Sequence, residues 1–140
     1  MQIQLCSIEC CTIHPINDPE CPRNLQFCHD MEDWGKRTDN IQIWHYNTNF
    51  RNYLLPFPNL RTIEANVRYF AAQGAQGVFM QAAGDTLAGE FSDLRTYLIS
   101  NLLWDPDRSG KQLLNEFITL HYGLAAPALR RYIDVIHDTA

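Results

Sequence analysis

Carboxylates, side-chain amides and aromatic rings gather in this chain at three places where an apolar run ends. Ile3-Gln4-Leu5-Cys6-Ser7-Ile8 opens into Glu9-Cys10-Cys11, Ile41 to Tyr46 opens into Asn47-Thr48-Asn49-Phe50-Arg51, and Gly77-Val78-Phe79-Met80 opens into Gln81. In parallel α/β proteins, the exit from a strand's carboxyl end into its loop is where ligands bind and reacting side chains are placed. The residue types suit a carbohydrate. Trp44 and Tyr46 offer ring faces on which a pyranose can stack, and Asn47, Asn49 and Gln81 can hydrogen-bond hydroxyls. Arg51, with Tyr53 beside it, can reach an anionic sugar such as a uronate through charge-assisted bonds. Strand alternation puts Trp44 and Tyr46 on one side and His45 on the other. Core packing is the ordinary alternative for each ring. For His45 the ordinary alternative is a satisfied structural imidazole, set against a proton carrier near neutral pH if it faces the interior.

Glycosidic bond cleavage usually needs two carboxyl groups, about 5–5.5 Å apart for retention and about 6.5–9.5 Å for inversion. The carboxylates at or just after strand ends are Glu9, Asp85 and Glu90. Glu9 follows the first strand directly and is the best placed for catalysis, although pairing with an arginine would also explain it. Glu90 lies where a first helical turn favours an acid, commonly by about 0.3–1 kcal/mol. It is assigned to substrate binding. Asp85, between Gly84 and Thr86, reads as a turn residue.

Bulk composition narrows the remaining classes. Hydrophobic residues make up 46% and charged residues 19% of 140 residues, which describes one globular domain. A net charge of -5 with scattered Lys and Arg excludes the basic stripe that nucleic acid requires. No apolar run approaches the roughly 20 residues of a membrane span, and no secretory leader is visible. Glycine-rich nucleotide loops, the Gly-x-Ser-x-Gly elbow and His-Glu-x-x-His are all missing from the sequence. Cys6, Cys10, Cys11, Cys21 and Cys28 crowd the first part of the chain, with His14 and His29 nearby. They lack paired C-x2-C spacing, so reduced, partly buried thiols are expected, with one disulfide or a metal site as alternatives. The expected site therefore contains no metal and no cofactor.

Strand and helix patterns alternate regularly. Strands are expected near 2–8, 41–46 and 77–81, and helices near 22–35, 59–73, 90–104, 110–121 and 127–137. Phe27, Met31 and Trp34 share one helical face. Asn59 is placed as the N-cap of a helix burying Leu60, Ile63, Val67 and Phe70, with Gly74 at its end. Glu90 is placed at the start of a helix burying Phe91, Leu94, Leu98 and Leu102. Ser109 with Gln112 forms a capping box ahead of Leu113, Leu114, Phe117 and Leu120. Pro127 opens a last helix burying Leu129, Tyr132, Ile133 and Ile136. The order β-α-β-α-β-α-α-α requires parallel crossovers. Three parallel strands leave faces and edges open, and a closed barrel needs about 250 residues. The expected fold is thus α/β, the C-terminal portion of a (β/α)8 barrel, forming one partial domain over 1–140.

Several segments taken together resemble one bacterial family. They are Ile8-Glu9-Cys10-Cys11 with His14-Pro15, Trp44-x-Tyr46 with Asn49-Phe50, and Tyr53-Leu54-Leu55-Pro56-Phe57-Pro58-Asn59-Leu60. Gly77-Val78-Phe79-x-Gln81, Gly89-Glu90-Phe91, Leu102-Leu103-Trp104-Asp105-Pro106, Glu116-Phe117 and Tyr122-Gly123 also fit. The resemblance is to the family called domain of unknown function 4838, itself similar to barrel glycoside hydrolases such as family 67 α-glucuronidases and family 20 hexosaminidases. It implies a glycoside-hydrolase-like barrel. This chain would supply glycan-binding residues and one carboxylate, and its partners would be an oligo- or polysaccharide and the missing N-terminal part of the same barrel. On that reading the chain alone is inactive, and full-length relatives are secreted or periplasmic. His45 stands where the family pattern has an acid, and Met80 where it often has Glu. That departure favours, as an alternative, a carbohydrate-binding barrel without hydrolysis; a structural portion with no activity of its own is a further, separate alternative.

Overall fold

A computed structural model describes residues 1–84, 86 and 88–139. Strand β1 (Ile3–Cys6) leads to helix α1 (Pro22–Gly35), strand β2 (Ile41–Tyr46), helix α2 (Thr62–Ala72) and strand β3 (Gly77–Gln81). Helices α3 (Ser92–Trp104), α4 (Gly110–Tyr122) and α5 (Ala126–Asp138) follow, the last two joined by a 3-10 turn at Gly123–Ala125. The protein is a mixed α/β structure with three parallel strands in the order β1-β2-β3. No helix among the described residues is long and apolar enough to cross a membrane.

Alternation in β2 decides which layer goes where. Ile41, Ile43 and His45 are buried, while Gln42, Trp44 and Tyr46 are only partly covered. Ile41 and Ile43 join Phe27 and Met31 of α1, Phe70 of α2 and Ile16 of the β1–α1 loop in one apolar cluster. Fully burying such a side chain is worth about 1.5–3 kcal/mol. Both crossover helices thus pack on one face of the sheet. The opposite face, with rows Gln4-Gln42-Gly77, Cys6-Trp44-Phe79 and Tyr46-Gln81, has no covering layer among the described residues. Phe79 on that face is 54% exposed.

Local chemistry sets the helix ends. Pro22 lies in the first turn of α1, where its missing N–H costs nothing. Helix α2 closes on Gly74 at φ 78: the Gly74 N–H donates to the Ala71 carbonyl and the Ala75 N–H to that of Phe70. This paired closure needs a left-handed residue, which glycine adopts at no steric cost. The Ser109 side chain accepts from the Gln112 N–H, and Glu64 of α2 accepts from the Gly110 N–H at 2.7 Å, so α4 begins docked to α2. A second core, with Ile63 and Val67 of α2, Leu94, Leu98 and Leu102 of α3, Leu113 and Ile118 of α4 and Ile133 of α5, welds the helices together.

Four local expectations differ from the structure, the first at Tyr132, which is 41% exposed on α5 while its neighbour Ile133 is buried. Asn59 does not cap α2, which begins at Thr62; its buried side chain accepts instead from Arg95. Glu90 does not begin α3, because Phe91 takes a left-handed φ of 47 that breaks the helix before Ser92. Leu120 is 78% exposed, and Ile118 completes the buried stripe of α4.

Candidate functional site

The aromatic residues of the uncovered face form a continuous row. Trp44 meets Phe79 edge-on with ring centroids 4.8 Å apart and stacks near Tyr46 at 6.4 Å. Tyr46 contacts Phe50 at 5.8 Å, and Phe50 contacts Tyr53 at 6.2 Å. The row runs from the sheet into the β2–α2 loop. The Trp44 indole N–H donates to Gln81 Oε1 at 2.7 Å, which fixes both side chains. Toward the amino ends of the strands, Gln2, Gln4, Gln42, Trp44, Gly77 and Phe79 line a shallow depression of about 400 Å³. Gly77 leaves room there for the Gln42 side-chain amide, which lies over it.

His45 belongs to the other face. It is 1% exposed, 2.6 Å from Ser7 Oγ through Nδ1 and 3.1 Å from Asn66 Nδ2 through Nε2. Asn66 Oδ1 accepts the Ile16 N–H at 2.7 Å, so its amide nitrogen must be the atom turned to the imidazole. Nε2 is therefore the acceptor, Nδ1 carries the proton, and His45 donates to Ser7. A serine nucleophile needs the reverse polarity, with its base accepting, so the trio is structural. Burial pulls the His45 pKa down to about 4 and keeps the ring neutral.

The carboxyl ends of the strands hold the other sequence candidates in unlike settings. Glu9 is exposed just beyond β1 and, among the described residues, has no ion-pair partner. Asn47 is wholly buried on the helix side. Its Nδ2 donates to Met80 Sδ at 3.6 Å and its Oδ1 lacks a partner among the described residues, so it stands apart from the aromatic row. Asn49 Oδ1 accepts the Arg51 N–H at 3.1 Å and shapes the loop, leaving the Arg51 side chain exposed. Asp85 lies outside the described residues.

Glu90 sits in the least expected environment. Its Oε2 accepts from Arg95 at 2.8 Å, with side-chain exposures of 4% for Arg95 and 10% for Glu90. Arg95 also donates to Asn59 and lies over the Phe57 ring. Glu90 N–H donates to the Tyr53 carbonyl at 2.7 Å, tying the β3–α3 loop to the β2–α2 loop. Burial lifts the Glu90 carboxyl above its ordinary value, a rise that Arg95 only partly offsets, and Oε1 has no partner among the described residues. Sequence reading overlooked Arg95, although a cation beside Leu94 and one helical turn before Leu98 and Ile99 on an apolar stripe is the signal that exposes it. Asn59, Asn66 and Ser7 carried no comparable signal.

Polar side chains gather at two further places. Leu60, Arg61, Glu64, Lys111, Arg130 and Asp134 border a cavity of about 340 Å³ between α2, α4 and α5. Several of its charges already have partners: Arg61 is bound to Asp134 and Asp138, and Glu64 to Arg68. Near α1, Cys11, His14 and Cys21 bring one ligand atom each within 4.8 Å of the others. All five cysteines are free thiols. Burial, with Cys28 and Cys21 adding to it, pushes the Cys10 thiol up to about 12.

The geometry defines a parallel α/β protein with helices on one sheet face and an aromatic, amide-lined row on the other. The chain belongs to the family described as domain of unknown function (DUF4838), which it matches over residues 1–134. No curated protein and no solved structure matches it.

Proposed function

We propose that the uncovered sheet face is the glycan-binding wall of a glycoside-hydrolase-like (β/α)8 barrel, of which this chain forms the C-terminal arc. The observation that carries the reading is the combination of sequential strand order, parallel direction and one-sided helices. All-parallel sheets are almost always covered on both faces. A doubly wound sheet does this with helices on each side, whereas a barrel does it by closing on itself with helices only outside. The open edges of β1 and β3 then join further strands of the same polypeptide, and Trp44, Tyr46, Phe79 and Gln81 face the barrel interior.

In that setting the aromatic row stacks sugar rings, and Gln81 and Asn49 address hydroxyls. Arg51 stands on the loop where a uronate carboxylate would lie. Glu9, free at the exit of β1, is the catalytic carboxylate this chain would supply, and its partner comes from another strand. A second reading has one specific support. Glu90, the carboxylate enclosed beside this loop, is neutralised by Arg95, which suits a carbohydrate-binding barrel that hydrolyses nothing.

The test uses the protein expressed from its full reading frame and a panel of neutral and uronate-bearing oligosaccharides. Binding by calorimetry should fall at least about tenfold in Trp44→Ala, the loss of roughly 1.4 kcal/mol of stacking. Product release should vanish in Glu9→Gln. Binding without product from the unmodified protein selects the second reading. Unchanged binding in Trp44→Ala ends both.

A further inference from the structure

We propose that Cys11, His14 and Cys21 form a three-ligand site for a single thiophilic divalent cation, Zn2+ by preference, that pins the β1–α1 loop to α1. The inference is independent of any carbohydrate activity. Cys11 Sγ and His14 Nδ1 are 3.5 Å apart, and both lie within 4.8 Å of Cys21 Sγ. Zinc bonds of about 2.3 Å to sulfur and about 2.0–2.1 Å to nitrogen, arranged tetrahedrally, put a sulfur and a nitrogen ligand about 3.5 Å apart and two sulfurs about 3.8 Å apart. Cys11 and His14 already meet that spacing, and the separations to Cys21 need to close by no more than about 1.3 Å.

The scaffold around the three residues is built rather than incidental. Asn24 of α1 is fully buried. Its Oδ1 accepts the Cys11 N–H at 2.8 Å, and its Nδ2 donates to the carbonyls of Cys11 at 3.1 Å, Pro15 at 2.9 Å and His14 at 3.4 Å. One side chain thus fixes the backbone on both sides of His14, one turn from Cys21 at the head of the same helix. The backbone that carries the ligands is thus ordered in advance, which lowers the cost of ordering them when an ion binds. Two thiols and an imidazole select zinc-like ions over magnesium or calcium, which prefer oxygen. Cys10 turns away to pack with the Phe27 and Met31 cluster, so the fourth position falls to solvent on the exposed side of His14.

The loop so pinned also buttresses the sheet. Its Ile16 N–H is held by Asn66, the partner of His45, and its Thr12 carbonyl accepts from Thr62 at 3.3 Å. Filling the site stiffens this support.

Cobalt is the probe. The protein from its full reading frame, reduced, stripped with chelator and titrated with Co2+, should bind one ion. It should show thiolate charge-transfer absorption together with the intense visible bands of tetrahedral cobalt, all displaced by Zn2+. Loss of an outer-shell partner alone costs about 10–100-fold in metal affinity. Cys11→Ser and His14→Ala should cost at least that, while His29→Ala leaves the titration unchanged. His14 is exposed, so His14→Ala stays folded by circular dichroism. Zn2+ should raise the melting temperature of the unmodified protein and not of His14→Ala. Absence of cobalt uptake by reduced protein overturns the proposal, as do bands that survive both ligand substitutions. A Cys11–Cys21 disulfide in protein isolated from its own host also overturns it.

Discussion

The Trp44 indole N–H donates to Gln81 Oε1 at 2.7 Å, joining the side chains of neighbouring strands on the sheet face that no described helix covers. The bond does two things. It holds the indole plane while Phe79 and Tyr46 flank it, and it turns Oε1 of Gln81 to the ring, leaving Nε2 a donor with no partner among the described residues. A ring face and an amide donor held rigidly side by side are what a pyranose surface needs, and rigidity reduces the ordering cost of binding.

Gln81→Leu should therefore leave the indole N–H without its acceptor, costing about 1 kcal/mol of folding stability. In a background where Trp34 and Trp104 are phenylalanine, the emission of Trp44 should shift as its hydrogen bond is lost. Glycan affinity should weaken without any change of fold by circular dichroism. An unaltered spectrum would show that the bond does not order the ring.

His45 sets the acid limit of the fold. An unfolded histidine titrates near 6.5, and this one, buried, near 4. The unfolded state binds the extra proton first, so stability is complete above about pH 6.5 and falls as pH drops from there to about 4. The full loss is about 3 kcal/mol, from roughly 1.4 kcal/mol for each pKa unit. His137, also lowered by burial, works in the same direction, whereas the raised carboxyl of Glu90 works against it. The difference between the unmodified protein and His45→Gln isolates the effect. Urea midpoints at pH 7 and pH 4.5 should fall by clearly less in His45→Gln. Equal falls in both proteins would refute a neutral buried imidazole.

Much of this arrangement was open to reading because it is periodic. The alternation Ile41, Ile43, His45 against Trp44, Tyr46 separates the two faces of β2, and the three apolar runs with their crossover lengths give the parallel sheet. The pairing of Trp44 with Gln81 follows from a register that no short-range pattern encodes. The same holds for Asn66 and His45, 21 residues apart, and for Arg95 and Asn59, 36 residues apart. Buried amides carry no hydropathy signal, since an asparagine on a surface and one closing an imidazole network look alike in sequence. Asn47 shows the consequence. Its position after β2 suggested an exposed amide, yet the period of two that buries His45 carries Asn47 into the same layer.

The Glu90–Arg95 pair yields the sharpest test of what holds the two loops together. Both side chains are nearly enclosed, so neither charge has water to fall back on. Removing one partner of such a pair costs about 3–5 kcal/mol, because the other remains charged and buried, whereas removing both costs far less. Arg95→Met should consequently destabilise the protein by that amount, read from urea unfolding with an unchanged slope. Glu90→Gln in the same chain should recover most of it. Phe91, next in the chain, holds a left-handed φ of 47, a strain of about 1–3 kcal/mol that persists only where its surroundings hold it. If Arg95→Met loses under about 1 kcal/mol, water reaches the pair and the loops are joined, among the described residues, by the bond from the Glu90 N–H to the Tyr53 carbonyl.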